Sequence, residues 1–246
     1  MNALSKLVAV EAKLFLREPV SLFFVFALPL GLMLVFGLPQ RGSTAGDDGG
    51  QHAELTFLPS LALSLTIGML ALFTLPMALG IYRERRVLRR LATTPVSPAL
   101  LLIAQVVVNL VMAVVGVVVT AMGVRFLLDQ PAPANVPAFA LAFLLGVACL
   151  FAIGLLIGAL APSARSAQSI GPTLFFPLLF LAGAWLPRDQ MPAVLARIGD
   201  YSPLGATVDT LAAAWAGQSP ALPQLLALAV TAVLGSVLAA RFFRWE

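Results

Sequence analysis

Six stretches of the chain, residues 20–38, 55–81, 98–124, 136–160, 168–186 and 221–240, contain no Asp, Glu, Lys, Arg or His. About 20 apolar residues cross the hydrocarbon core of a bilayer as a helix, so each stretch has the length of one crossing. They are too long for transmembrane β-strands and lack the alternation that a barrel requires. Composition agrees: with 60% hydrophobic and 11% charged residues among 246, a water-soluble domain would hold more apolar side chains than its interior accommodates. The expected fold is all-α, a single transmembrane domain over residues 1–246 with six membrane helices.

The basic residues set the expected orientation. With the N-terminus in the cytoplasm, the inner segments carry Lys6, Lys13, Arg17, Arg83, Arg85, Arg86, Arg89, Arg90, Arg165, Arg241 and Arg244, leaving Arg41, Arg125, Arg188 and Arg197 outside. That excess of positive charge inside predicts a multi-pass protein of the cell membrane with both termini cytoplasmic. It also accounts for the net charge of +4, so a nucleic-acid partner is not expected. The first run follows a charged segment with no small-residue cleavage site and reads as retained. Cys149 is the single cysteine, which excludes an intrachain disulfide, and inside the fourth run it reads as a small buried apolar residue.

Outside the runs, residues 39–53 read PQRGSTAGDDGGQHA, too polar and Gly-rich to bury a core, and His52 there lacks a second metal ligand. Residues 1–19 have the pattern of an interfacial helix, with Lys6, Lys13 and Arg17 on one face and Leu4, Leu7, Val8, Leu14 and Phe15 on another. Glu11 and Glu18 interrupt the apolar face and call for basic partners, either residues 83–90 or another subunit. Residues 187–217 are too polar to cross and too apolar for plain loop. Ser202-Pro203 is an N-cap followed by Pro at N1, and Leu204, Val208, Leu211 and Trp215 then recur at helical spacing; residues 192–198 form a weaker second helix. These short outer helices either dip back into the bundle or lie at the interface with Trp185 and Trp215 as anchors. Asp209, off the stripe, is expected to point to water. Gly154 and Gly158 form a Gly-x-x-x-Gly step that permits close helix approach, within one subunit or across a homodimer seam.

What the runs lack is as informative. Ion-driven transport needs an ionisable group in the membrane, and the runs offer none; Gln105 and Asn109 are the only amide side chains well inside and suit hydrogen bonds between helices. Phe23, Phe26, Asn109, Phe175, Phe176 and Phe180 are candidates for lining a route through the bundle, although most Phe in such helices face lipid or neighbours. The acidic residues form no pair or cluster suited to catalysis, and no catalytic, cofactor-binding or metal site is expected. A phosphate-binding loop is absent as well: the only lysines are Lys6 and Lys13. Any energy from nucleotide hydrolysis must come from another chain. Residues 82–105, YRERRVLRRLATTPVSPALLLIAQ, place Val87, Leu88 and Leu91 on one helical face with arginines around them, ahead of a Pro-marked stop. A short helix presented to the cytoplasm over residues 83–97 suits a lever worked by an external motor.

At these residues the chain resembles the ABC-2 type permeases, the six-span membrane subunits of ATP-binding-cassette exporters. The resemblance runs through Arg17-Glu18-Pro19 and Pro29, then Glu84, Arg89-Arg90-Leu91 and Thr94-Pro95. It continues after the fifth run through Gly183, Pro187, Met191-Pro192, Leu195 and Tyr201-Ser202-Pro203. One departure is Arg86-Val87, where the family often has Gly after the acidic-basic pair. The resemblance implies that two such subunits associate. Each would couple to a separate ATPase subunit, which binds ATP and Mg, through the inner loop and the N-terminal helix. The implied coupling residues are Arg83, Glu84, Arg85, Arg86, Leu88, Arg89 and Leu91 with Glu11, Arg17 and Glu18. The inner loop looks closest to the drug and natural-product branch, which implies export of a hydrophobic or amphipathic compound. An ion-coupled or passive transporter and a non-transporting membrane scaffold are the alternatives.

Overall fold

The computed structural model describes residues 3–38, 50–85, 98–129 and 131–243. Among them there is no strand. Helix α1 is Ala3–Leu16 and α2 is Pro19–Gly37. Helix α3 is continuous through Gly50–Met69, a π-helical turn at Leu70–Thr74, and Leu75–Glu84. Then come α4 (Pro98–Leu127), α5 (Val136–Leu160) and α6 (Ala164–Leu181), a 3-10 turn at Arg188–Gln190, the short helices α7 (Ala193–Tyr201) and α8 (Pro203–Trp215), and α9 (Leu222–Phe242).

Five of these helices, α2, α3, α4, α5 and α9, are long and apolar enough to cross a membrane. The fifth apolar run, read as residues 168–186, is displaced. Its helix α6 starts at Ala164, where Ser163 and Ser166 form a reciprocal capping box, and ends at Leu181. Gly183 stops it in the left-handed region at φ 86°, donating its N–H to the Phe180 carbonyl. The polar start puts the beginning of the helix four residues ahead of the apolar run. At 1.5 Å per residue it is about 27 Å long, and it still connects the two ends of the bundle. The second run is longer than its apolar stretch, since α3 begins within the polar segment at Gly50 and continues to Glu84.

Two prolines explain the two π-helical turns. Pro29 has no N–H to give to the Val25 carbonyl four residues earlier, and the backbone of α2 widens over Phe23–Ala27. The freed Val25 carbonyl lies 3.1 Å from Thr66 Oγ1 of α3, whose single hydroxyl proton it shares with the Ala62 carbonyl at 3.0 Å. In α3, Pro76 likewise leaves the Leu72 carbonyl without its helical donor, within the widened turn Leu70–Thr74. There the Ala71 carbonyl lies against Gly154 of α5 and the Leu72 carbonyl against Gly171 of α6, so close that a Cβ at either glycine would strike backbone oxygen. The glycine step of α5 is thus used inside the subunit, with Gly158 against Leu79 of α3 and Gly146 against Thr207 of α8.

These contacts make α3 the axis of the bundle. In the most apolar stretch of α3, 72% of residues are buried, against 22% in α2 and in α9, which therefore lie at the periphery. Leu63, Ile67, Leu70, Leu72 and Leu75 are fully buried, and Phe175 of α6 packs edge-on to Phe73. Helix α9 rides on α5, where Gly235 meets Ala152.

Candidate functional site

The chain presents two organised polar regions, one at each end of the bundle. At the basic end, three consecutive residues that close α3 hold different helices. Tyr82 Oη accepts from Gln105 Nε2 of α4 at 2.6 Å. Arg83 donates to the Ala161 carbonyl, and also to the Ala159 carbonyl at 3.4 Å, capping the end of α5. Glu84 Oε1 accepts from the Ala164 N–H at 2.9 Å, the first residue of α6. The guanidinium thus meets orphan carbonyls at a helix C-terminus and the carboxylate an orphan N–H at an N-terminus, the charge signs that the helix dipoles favour. Both residues bond within the chain, Arg83 half-buried and Glu84 exposed. Arg85 is exposed; Arg86, Leu88, Arg89 and Leu91 lie outside the described residues.

Glu11 is not where an interfacial helix would put it. The bundle-facing side of α1 is Leu4, Leu7, Val8, Glu11, Ala12 and Phe15, while Leu14 is exposed. Glu11 is buried and its Oε2 accepts from Gln105 Nε2 at 2.6 Å. Among the described residues it meets the Gln105 amide of α4 and the Tyr82 hydroxyl of α3. The absence of ionisable side chains from the apolar runs does not, therefore, keep a carboxylate out of the packed bundle. Arg17 and Glu18 remain exposed, with Glu18 accepting from Ser21. Asn109, fully buried, donates to the Gln105 carbonyl of its own helix rather than to a neighbouring one.

At the far end, α8 is a plug. Leu204, Val208, Leu211 and Trp215 are buried as their spacing predicts, but so are Ala206, Thr207, Thr210 and Ala214 on other sides. The helix is enclosed by α3, α5, α6 and α9, which excludes a surface position. Thr207 and Thr210 satisfy their hydroxyls on the carbonyls of Pro203 and Ala206, so they enter the apolar surroundings without an unpaired donor. Trp215 is no interfacial anchor: its indole N–H donates to the Pro131 carbonyl at 3.3 Å and its ring meets Phe139 edge-on. Trp185 is exposed.

Asp209 departs from its expected place at open water. Arg188, on the 3-10 turn after α6, donates to Asp209 and to Asp200 Oδ1 at 3.0 Å, while Gln224 of α9 donates to Asp209 Oδ2 at 2.9 Å and to the Asp200 carbonyl at 3.3 Å. Four elements are clasped by one guanidinium and one amide. Burial pushes the Asp209 carboxyl above the usual carboxylate range, and the adjacent Arg188 pulls the other way. The arginine reaches this position because Gly199 and Gly205 leave room for it; a Cβ at Gly205 would lie 2.6 Å from Arg188 Nη2. The sequence pattern placed Asp209 off the apolar stripe but carried no sign that Arg188 and Gln224 would meet it.

The proposed pathway phenylalanines are not gathered into one lining. Phe175 is buried in the core and Phe26 packs against it in part, Phe180 is half-buried, and Phe23 and Phe176 face outward. An open groove of about 790 Å3 lies instead between α6 and α7, lined by Leu178, Leu181, Val194 and Ile198 with Arg197 and Tyr201. Among the described residues no group of His, Cys, Asp and Glu is arranged to hold a metal.

Residues 2–215 match the family described as ABC-2 type transporter. The inner membrane transport permease YhhJ of Escherichia coli (strain K12) is 27% identical over 139 residues, 56% of this chain and 37% of that protein; its Shigella flexneri counterpart matches to the same extent. The matched region thus spans little more than a third of those relatives' own length. The family match covers α1 through α8, including Glu11 and Arg188 with its two aspartates, and on that extent the chain belongs to the ABC-2 type transporter family.

Proposed function

We propose that this chain is the membrane-spanning permease subunit of an ATP-binding-cassette exporter. In this reading two copies form the translocation pathway, and each is worked by a separate ATPase subunit that binds ATP and Mg. The basic end, with α1 and the loop after α3, faces the cytoplasm, and the α7–α8 end faces outward. The observation that supports this best is the root of the loop, where Tyr82, Arg83 and Glu84 are bonded to α4, α5 and α6 in turn. A loop so joined passes a push to much of the bundle, whereas a topogenic anchor needs only its charges. The apolar groove with Arg197 and Tyr201 suits a hydrophobic or amphipathic cargo such as a drug, natural product or lipid.

The test is co-purification with a nucleotide-binding subunit, followed by uptake of an amphipathic dye into inverted vesicles containing both. ATP-dependent uptake is expected. Uptake that ignores ATP and follows a pH gradient would replace this reading with an ion-coupled one, for which the buried Glu11 carboxylate is the specific support.

A further inference from the structure

We propose that Arg83 and Glu84 are the transmission joint of this permease: they lock the root of the basic loop to the α5–α6 turn, so that displacement of the loop is delivered to α6 rather than only to the helices the loop connects. This rests on the reading that the loop receives the motor's stroke, and it gives these two residues an internal task in place of contact with the ATPase subunit.

The geometry points to α6 for three reasons. First, α3 and the start of α6 touch at backbone level: a Cβ on Gly80 would lie 2.6 Å from Ala164 Cα and 2.7 Å from its nitrogen. No side chain intervenes to absorb a displacement there. Second, both contacts across the joint are charge-assisted hydrogen bonds to backbone, stronger than neutral ones. Arg83 acts on the last carbonyls of α5 and Glu84 on the first N–H of α6, so adjacent residues of opposite charge hold the two ends of one short turn. Third, the turn itself is stiff, because Ser163 accepts from the Ser166 N–H at 3.1 Å while Ser166 Oγ accepts from the Ser163 N–H at 3.1 Å. Beyond the joint, α6 contains Pro172 and Pro177, which remove two intrahelical hydrogen bonds. A push at Ala164 thus enters a helix with built-in points of flexure, and its far end meets α7 where the Leu181 carbonyl lies against Gly199.

The test compares Glu84→Ala, Glu84→Gln and Arg83→Lys in the permease–ATPase complex reconstituted in liposomes, reading dye exported per ATP hydrolysed. Glu84→Gln keeps an oxygen to accept from the Ala164 N–H but gives up its charge, so it should lose clearly less export per ATP than Glu84→Ala, about twofold or under. Glu84→Ala should hydrolyse ATP at a near-parental rate but lower export per ATP by roughly threefold to tenfold, the scale of one lost charge-assisted bond. Arg83→Lys keeps the charge but not the fork that reaches two carbonyls, and should fall by roughly threefold. Should Glu84→Ala fail to fold, Arg83→Lys and Glu84→Gln decide alone. Equal losses for Glu84→Gln and Glu84→Ala, or parental coupling in Arg83→Lys, would overturn the joint, because a residue that only offers charge to a partner behaves in that way. A failure of the parent complex to show any ATP-dependent export would instead defeat the permease reading itself.

Discussion

Removing the guanidinium of Arg188 tests whether the far end is held by charge or by packing. The ion pair with Asp200 is half open, the carboxylate being 45% exposed, and pairs of that kind contribute under about 1 kcal/mol. The pair with Asp209 is more enclosed, with exposures of 17% and 25%. Breaking a buried pair from one side costs ~3–5 kcal/mol, and partial exposure together with the remaining Gln224 bond reduces that to about 2–3 kcal/mol. Arg188→Ala should therefore destabilise the protein by about 3 kcal/mol. At 2–4 °C per kcal/mol for a chain of this size, the apparent melting temperature in a fixed detergent should fall by roughly 6–12 °C. Much of that cost is an uncompensated carboxylate, so adding Asp209→Asn to Arg188→Ala should restore about half of it, whereas Asp209→Asn alone should cost about 1 kcal/mol. Intrinsic tryptophan fluorescence during heating is a suitable readout because Trp215 ends α8. A shift below about 2 °C, or additive effects in the double variant, would refute this account of the clasp.

Gly154→Ala puts a Cβ onto the Ala71 carbonyl and should cost about 1–3 kcal/mol, seen as reduced folded yield, while Gly31→Ala, where nothing lies within 4 Å, should be neutral or stabilising by about 0.5–1 kcal/mol. Thr66→Val should cost about 1–2 kcal/mol by leaving the Val25 carbonyl unpaired, and the cost should shrink in a Pro29→Ala background, where a restored backbone N–H takes that carbonyl; equal costs in both backgrounds would argue against the proline origin of the turn. Glu11→Gln should keep the contact with Gln105 and leave hydrogen exchange in α1 unchanged. Glu11→Leu should leave the Gln105 amide short of one buried partner and raise α1 exchange by roughly tenfold, corresponding to about 1–2 kcal/mol.

Much of this architecture could be read directly from the chain because bilayer physics acts locally. A backbone in hydrocarbon must bond within its own segment, so apolar length alone located α2, α4, α5 and α9 to within a few residues. The Ser202-Pro203 cap and the stripe from Leu204 to Trp215 placed α8 in the same way. The same local signals misjudged α6, since a capping box allows a helix to begin in Ala-Arg-Ser-Ala-Gln-Ser, a segment with no apolar run. They also left open whether α8 would dip into the bundle or lie at the interface. Periodicity reports one apolar face, while small residues such as Ala206 and Thr207 are compatible with water or with a packed core. The polar contacts were the least accessible from sequence. Glu84 meets Ala164 across 80 residues, Gln105 meets Glu11 across 94, and Arg188 meets Asp200 and Asp209 where Gly199 and Gly205 let α6, α7 and α8 approach closely. Charge pairing across a bundle depends on which helix faces touch, and that is decided by the packing of the whole rather than by any segment alone.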